Sequence, residues 1–432
     1  MSKLRPAICT FSDFDGGAAR AAMGHHKALI AKGIKSEMIA GSKKSGLSSV
    51  YGPQGKFLKG LTQARRELSD FLTKLQVPSN PNLHSLQIFP SLTLKILNAS
   101  DYDVVNLHWV CSEFLSIKDI GRLKKPLVWT MHDMWPILGA EHYVDESGFI
   151  RAIEGYKKSN RSHDDSGLDL DRWCWLRKKR HWKTPFQIVV SSDWMKKQVS
   201  ASALMHNWPI TVIPNALDME RFRPYDRNFA RDILKLPQDK KILAFGATAG
   251  INDHRKGGDL LCASMEIINK AIPDLELVIF GQHNPGNQYI QVKNRLHWLG
   301  PISDDIVLSL IYSATNVIAV PSRLDNLPLT AAEAQACGCP VVAFNATGLP
   351  DLVEHGITGY LAKPFEVDDL ARGIIWALED PERTARLSTS ARIRAKALWS
   401  YEAVVDKYLH VYEASIDGHR NKNSNVKETL NK

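Results

Sequence analysis

The chain has 432 residues, 44% hydrophobic and 23% charged, the make-up of a soluble globular protein long enough for two domains of about 150–200 residues. No run approaches the roughly 18–20 apolar residues of a membrane span, and residues 1–10 carry no apolar leader core, so a cytoplasmic protein is expected. The formal charge of +9 suits phosphate-bearing substrates or an anionic membrane surface. No nucleic-acid motif accompanies it, which sets nucleic acid aside as a partner.

The first apolar run, PAICTF (6–11), is strand-like, and ARAAMGHHKALIAKG (19–33) reads as a helix closing on Gly33. Between them stand Gly16 and Gly17, which allow close backbone approach to a ligand but do not complete a G-x-G-x-x-G dinucleotide fingerprint. Short apolar runs follow at SEMIAG (36–41), VVNLHWV (104–110), PLVWTMHD (126–133), FQIVVSS (186–192) and ITVIPNA (210–216), alternating with helical patterns. That recurrence predicts a parallel sheet covered by helices. His108 and His132 fall at the ends of two of these strands, where a histidine is either packed or placed for chemistry. Asp133 follows His132 and can orient a ring or meet a substrate. The polar segment 145–183 reads as an insertion. Its run of Arg172, Arg177, Lys178, Lys179, Arg180 and Lys183, interleaved with Trp173, Trp175 and Trp182, suits either a membrane surface or a solvated helix with its tryptophans turned inward.

A second α/β pattern restarts near Pro214 with KKILAFGA (240–247) and continues through LELVIFGQ, NVIAVPS, CPVVAFNA and TGYLAKP. The predicted domains are 1–213 and 214–398, with an amphipathic helix over 399–416 and a polar, disordered tail over 417–432. Open parallel sheets bind ligands beyond the carboxyl ends of their strands, which directs attention to the loops there. In one such loop, Arg255 and Lys256 precede Gly257–Gly258 and a helix start; a lysine there neutralises a leaving diphosphate, or is simply a basic surface residue. In another, Arg323, Asp325, Asn326 and Leu327 precede a helix that carries Glu333. Glu333 either accepts hydrogen bonds from paired hydroxyls or complements the helix dipole.

Asp13/Asp15 and Asp101/Asp103 have the Asp-x-Asp spacing of metal-dependent sugar transferases, but the first pair adjoins a Gly-Gly turn and the second precedes its strand, so no metal site is predicted. Six scattered cysteines, including Cys337 and Cys339, suggest reduced buried thiols rather than disulfides or a metal centre.

The segment PSRLDNLPLTAAEAQACGCPVV (321–342) resembles the Glu-x7-Glu signature of glycosyltransferase family 4, with Asp325 in place of the first glutamate and Asn326 in place of the following glycine. IPNALD, Lys256-Gly257, Gly281 of VIFGQ, WLGPIS, HGITGYLA and the 399–401 entry to the last helix are similar to the family's pattern as well; its early loop arginine is replaced by Ala247 and Thr248. The resemblance implies the α/β GT-B fold: two Rossmann-like domains whose parallel sheets face a central cleft, with the last helix crossing back to the first domain. It also implies a retaining hexosyltransferase that uses a nucleotide diphosphate sugar as co-substrate, needs no metal, and acts on a glycan or lipid-linked acceptor in polysaccharide or lipopolysaccharide biosynthesis at the inner face of the cytoplasmic membrane. By the same resemblance His132, Lys256, Asp325 and Glu333 are the candidate catalytic residues. Gly16, Gly17, Arg255, Gly281, Arg323, Asn326 and Leu327 join Lys256 and Glu333 around the donor, and Asp133 joins His132 on the acceptor side. A sugar-nucleotide epimerase of the same fold, or a non-catalytic scaffold, remains open.

Overall fold

A computed structural model describes residues 4–246, 253–283 and 295–430, with side chains through 422. The loop arginine position at Ala247 and Thr248 lies outside the described residues. The chain divides into two compact units, Met1–Pro214 with Val404–Lys432, and Asn215–Ala403.

Among the described residues, fifteen strands run in chain order. In the first unit they are β1 (Pro6–Ser12), β2 (Glu37–Ser42), β3 (Val50–Tyr51), β4 (Gln76–Val77), β5 (Val104–Leu107), β6 (Leu127–Met131), β7 (Ser166–Gly167), β8 (Gln187–Val190) and β9 (Ile210–Val212). In the second they are β10 (Ile242–Gly246), β11 (Glu276–Phe280), β12 (Leu296–Gly300), β13 (Val317–Val320), β14 (Val341–Phe344) and β15 (Gly359–Ala362). The first sheet has the order β3-β2-β1-β5-β6-β8-β9 and the second β12-β11-β10-β13-β14-β15, every pairing parallel. The order reverses between β1 and β5 in one sheet and between β10 and β13 in the other, and at such a point the loops leaving neighbouring strands diverge and open a crevice. The central strands are apolar on both faces because helices cover both: Ile8, Val105 and Val189 in the first unit, and Leu243, Ala244 and Ile318 in the second, are fully buried.

Segment 145–183 is not a peripheral insertion. Its helices Glu146–Glu154 and Leu170–His181 supply Phe149, Ala152, Cys174 and Trp175, and Tyr156 and Trp182 join them in the first unit's core, while β7 pairs antiparallel with β4. Of the two readings the sequence left open for the basic run, the structure shows the helix with Trp175 and Trp182 turned inward. Cys174, Lys178 and Trp182 recur at helical spacing on one inward face, and of the three tryptophans only Trp173, 41% exposed beneath the Arg177 guanidinium, points outward. Lys178 is fully buried: its ammonium donates to the carbonyls of Trp135, Leu138 and Gly139 and sits over the Trp135 ring. Burial pulls its pKa down to about 8.

The last helix runs Tyr401–Leu430, past the point where the polar composition after Asp417 suggested an unstructured tail. Val404, Val405, Tyr408, Leu409 and Tyr412 bury one face of it in the first unit's core, and a helix anchored on so long an apolar stripe carries its backbone bonds onward into the polar stretch.

Candidate active site

In the second unit two loops meet where the strand order reverses. After β10 the chain re-enters with Asp253, whose carboxylate accepts from the Arg255 backbone N–H (3.1 Å) and pairs with the Arg255 guanidinium (2.7 Å). This caps the short turn His254–Lys256. Gly257 then adopts φ +68° and opens the helix Gly258–Ala271. A Cβ at Gly257 would stand 1.9 Å from the Pro321 carbonyl oxygen, so glycine is needed there for both conformation and space.

The loop after β13 is fastened to this turn. Arg323 N–H donates to the Arg255 carbonyl (2.7 Å), and its guanidinium clamps both oxygens of Asp259 (2.7 and 2.6 Å) and the His254 carbonyl (2.9 Å). That fork holds the Asp259 carboxyl below the usual range. The two arginines expected around the donor are thus both partnered by acids, Arg255 by Asp253 of its own turn and Arg323 by Asp259 in the first turn of the helix Gly258–Ala271. Lys256 is paired with an acid as well: its ammonium lies 2.5 Å from Asp325 Oδ2, bringing together two residues singled out by sequence.

Asp325, Asn326 and Leu327 are buried, and the Asp325 carbonyl accepts from Gly348 N–H at 3.1 Å. Helix Leu329–Ala336 follows with Pro328 as its N-cap, which offers no side-chain acceptor, so the first-turn N–H groups of Leu329 and Thr330 have no intrahelical partner. Glu333 lies beyond that first turn, 2% exposed, and accepts from Tyr312 Oη at 3.0 Å. Its position rules out the explanation that it merely complements the helix dipole. Burying a carboxylate is costly, and this one projects into the core beside the loop. Gly281, φ +98°, follows β11 and donates to the Gly300 carbonyl (2.9 Å).

The first unit's corresponding loops hold the remaining candidates. Gly16 (φ +87°) is the N-cap of helix Gly17–Ala31, with nothing near where a Cβ would stand on either glycine. Asp13 accepts from the Lys44 and Ser45 backbone N–H groups (2.8 and 2.9 Å), and Asp15 pairs with the Lys44 ammonium. His108 follows β5 and His132 follows β6. Their rings are joined Nδ1 to Nε2 at 2.8 Å, and His108 Nε2 lies 3.3 Å from His25 Nδ1. Burial lowers the pKa of His132 to about 4, against the raising effect of Asp133, and that of His25 to about 3, with His26 adding to the effect. Burial also takes His108 well below its ordinary value. All three rings are neutral at neutral pH.

Asp133 is turned inward. Oδ2 accepts from Trp109 Nε1 (2.8 Å) and lies 2.6 Å from His142 Nδ1, while Oδ1 accepts from Trp135 N–H (3.1 Å). Burial works to raise its pKa, but His142 and the donated hydrogen bonds hold it below the usual range. Both of its oxygens are thus engaged by Trp109, Trp135 and His142. Sequence reasoning missed His25, Tyr312, Asp259 and Gly348, because each acquires its role from a partner more than twenty residues away, and His142, nine residues past Asp133, because it stands in no strand-end loop that the pattern marked.

Two family models match. The one described as Glycosyltransferase Family 4 covers residues 15–221, and the one described as Glycosyl transferases group 1 covers residues 226–394. Among relatives, a D-inositol 3-phosphate glycosyltransferase of Segniliparus rotundus is 31% identical over 54% of this chain and 54% of its own length. One of Saccharomonospora viridis is 33% identical over 49% and 51%. The chain thus spans about half the length of the curated relatives it matches. Among solved structures, sucrose-phosphate synthase from Thermosynechococcus elongatus aligns with TM-score 0.66 at 19% identity, covering 96% of this chain and 100% of that one. Anabaena HepE in complex with UDP-glucose aligns with TM-score 0.63 at 17% identity, covering 95% and 100%. These two likenesses establish the GT-B fold, and with one model matched over residues 15–221 and the other over 226–394, the chain belongs to the family 4, group 1 glycosyltransferases.

Proposed function

We propose that the protein transfers a sugar, with retention at the anomeric carbon, from a nucleotide diphosphate sugar to a glycan or lipid-linked acceptor. The observation that carries this reading is the Lys256–Asp325 pair where the second sheet reverses its strand order, in the loop that leads into the helix carrying buried Glu333. Glu333 holds the ribose hydroxyls, Lys256 meets the diphosphate, and Asp325 with the 326–330 backbone orients the sugar; Arg255, Arg323 and Gly281 shape this donor site. His132, with the Gly16–Gly17 turn, serves the reacting end. The acceptor oxygen bonds to the anomeric carbon on the face from which the phosphate departs. The bond from that carbon to the phosphate oxygen breaks, and the acceptor proton passes to the departing phosphate. This route needs neither a protein nucleophile nor a metal ion. The UDP-glucose complex of HepE supports a nucleotide sugar as the donor class.

A thermal-shift panel of UDP, GDP, ADP and dTDP, each with and without Mg²⁺, tests the donor site. One nucleotide should raise the melting temperature by several degrees, equally without metal, as expected for a ligand far above its dissociation constant. Indifference to all four would remove the reading.

We further propose that the acceptor is met at an anionic bilayer, through helix Gly55–Thr73 rather than the tryptophan-rich segment. Its outward face carries Phe57 (81% exposed), Leu68 and Phe71 (61%), continued by Leu75 and Val77, with Lys56, Lys59 and Lys74 alongside. An exposed apolar stripe on a helix that also carries lysines matches the boundary between acyl chains and acidic headgroups. Co-sedimentation with vesicles containing phosphatidylglycerol should fall at least tenfold in the Phe57→Ser, Phe71→Ser double variant, given the apolar area withdrawn. Equal pelleting of both proteins would discount this surface.

A further inference from the structure

We propose that Tyr412, on the last helix, is a positioning residue for His132: acting through His25 and His108, it dictates which ring nitrogen of His132 carries the proton. The inference rests on the assignment of His132 to the transfer reaction and specifies what that ring presents there.

The network has a direction. Thr130 Oγ1 donates to Asn106 Oδ1 (3.0 Å), which leaves Asn106 Nδ2 donating to Tyr412 Oη (2.9 Å). Tyr408 Oη, 3.3 Å from Thr130 Oγ1, supplies the proton at that end. Having accepted from Asn106, Tyr412 turns its own proton toward His25 Nε2 (3.2 Å).

A neutral imidazole accepts at one nitrogen and donates from the other. His25 accepts at Nε2, so its proton is on Nδ1, aimed at His108 Nε2 (3.3 Å). His108 in turn carries its proton on Nδ1 and donates to His132 Nε2 (2.8 Å). The proton of His132 is therefore on Nδ1. Stacking of His25 on Tyr408, with ring centroids 3.7 Å apart, fixes the ring that relays the direction. The three rings are neutral, so the chain holds one proton per ring.

Two consequences follow. His132 offers an N–H donor to an oxygen of the sugar or the acceptor. Its Nε2 lone pair is already committed to His108, so the ring is not a base for the acceptor hydroxyl. That agrees with a mechanism in which the departing phosphate takes the proton.

The full chain, labelled with ¹⁵N in its imidazoles, reports the tautomer directly by long-range ¹H–¹⁵N correlation, with the His132 signals assigned by their loss in His132→Asn. The expected spectrum has Nδ1 protonated in the wild type and a second tautomer populated in Tyr412→Phe. Protonation at Nε2 in the wild type, or an unchanged His132 in Tyr412→Phe, overturns the proposal. The wild-type spectrum decides the tautomer even if Tyr412→Phe does not fold. Transfer assays add a readout that a merely structural histidine would not move. His132→Asn places an N–H near the former Nδ1, whereas His132→Gln places one near Nε2. The asparagine variant should retain about tenfold more activity, the upper end of what one hydrogen bond between neutral groups is worth; the reverse order counts against the proposal. Wild-type rates in both variants, together with a protonated Nδ1, would uphold the tautomer and instead remove His132 from the reaction.

Discussion

Lys256→Ala is expected to lower the rate of sugar transfer about a hundredfold, the loss typical when one preorganised positive group facing a developing anion is removed. The fold should survive. The Lys256–Asp325 pair is part-buried, with side chains 27% and 11% accessible, and losing the ammonium leaves the carboxylate short of a partner at a cost of about 1–3 kcal/mol, a fraction of ordinary folding stability. A double variant separates the two roles of this lysine. If it served only to neutralise Asp325, then Asp325→Ala added to Lys256→Ala would restore activity. If it stabilises the leaving diphosphate, the double variant stays as slow as the single one or slower. Glu333→Ala should raise the donor KM at least tenfold by removing the acceptor of the ribose hydroxyls, a loss of about 1.4 kcal/mol or more in binding. Near wild-type kinetics in folded Lys256→Ala and Glu333→Ala would dismantle the donor-site assignment.

Gly348→Ala should be the most damaging single methyl in the second unit. A Cβ there would stand 1.4 Å from the Asn326 carbonyl oxygen and 2.5 Å from its carbon. Both atoms are backbone, so no rotamer change relieves the clash. Gly348 has φ −86°, an ordinary value, which makes the requirement one of space alone. The loop carrying Asp325 and Asn326 must shift, and the Gly348 N–H bond to the Asp325 carbonyl goes with it. The expected cost is about 3 kcal/mol, at the upper end of overpacking penalties. Denaturant melts should register that loss, and the stabilisation by nucleotide should disappear along with it. Gly60→Ala is the matched control: helical, with nothing within 4 Å of its added Cβ, it should stabilise slightly. A Gly348→Ala protein that melts like the wild type would mean that the loop is not held in the way described.

The two parallel sheets were legible because their strands are short apolar runs separated by helical periods, and residues 321–342 were legible because their spacing is local. Lys256 and Asp325 could each be named from sequence, but their 2.5 Å contact joins residues 69 apart. The partners of Arg323 and Arg255 were hidden for a related reason: nothing in composition says whether a basic side chain will face a phosphate or a neighbouring aspartate. Helical period also cannot tell an apolar stripe that faces the core from one that faces outward, so helix 55–73 was passed over while the basic segment 172–183, whose tryptophans mostly pack inside, was suspected. Tyr412 and His25 are 387 residues apart, and neither stands in any motif.

That separation also bears on the order in which the molecule is made. The first 214 residues emerge from the ribosome with Asn106, His25 and Thr130 lacking the tyrosines that complete their bonds, and with the groove for Val404, Val405, Leu409 and Tyr412 open. The whole of Asn215–Ala403 must be translated before the covering helix arrives, about 10–40 s at ordinary elongation rates. The bonds of Tyr408 and Tyr412 to the histidine chain and its neighbours therefore form last, and a nascent chain arrested in its second half carries an unfinished first half.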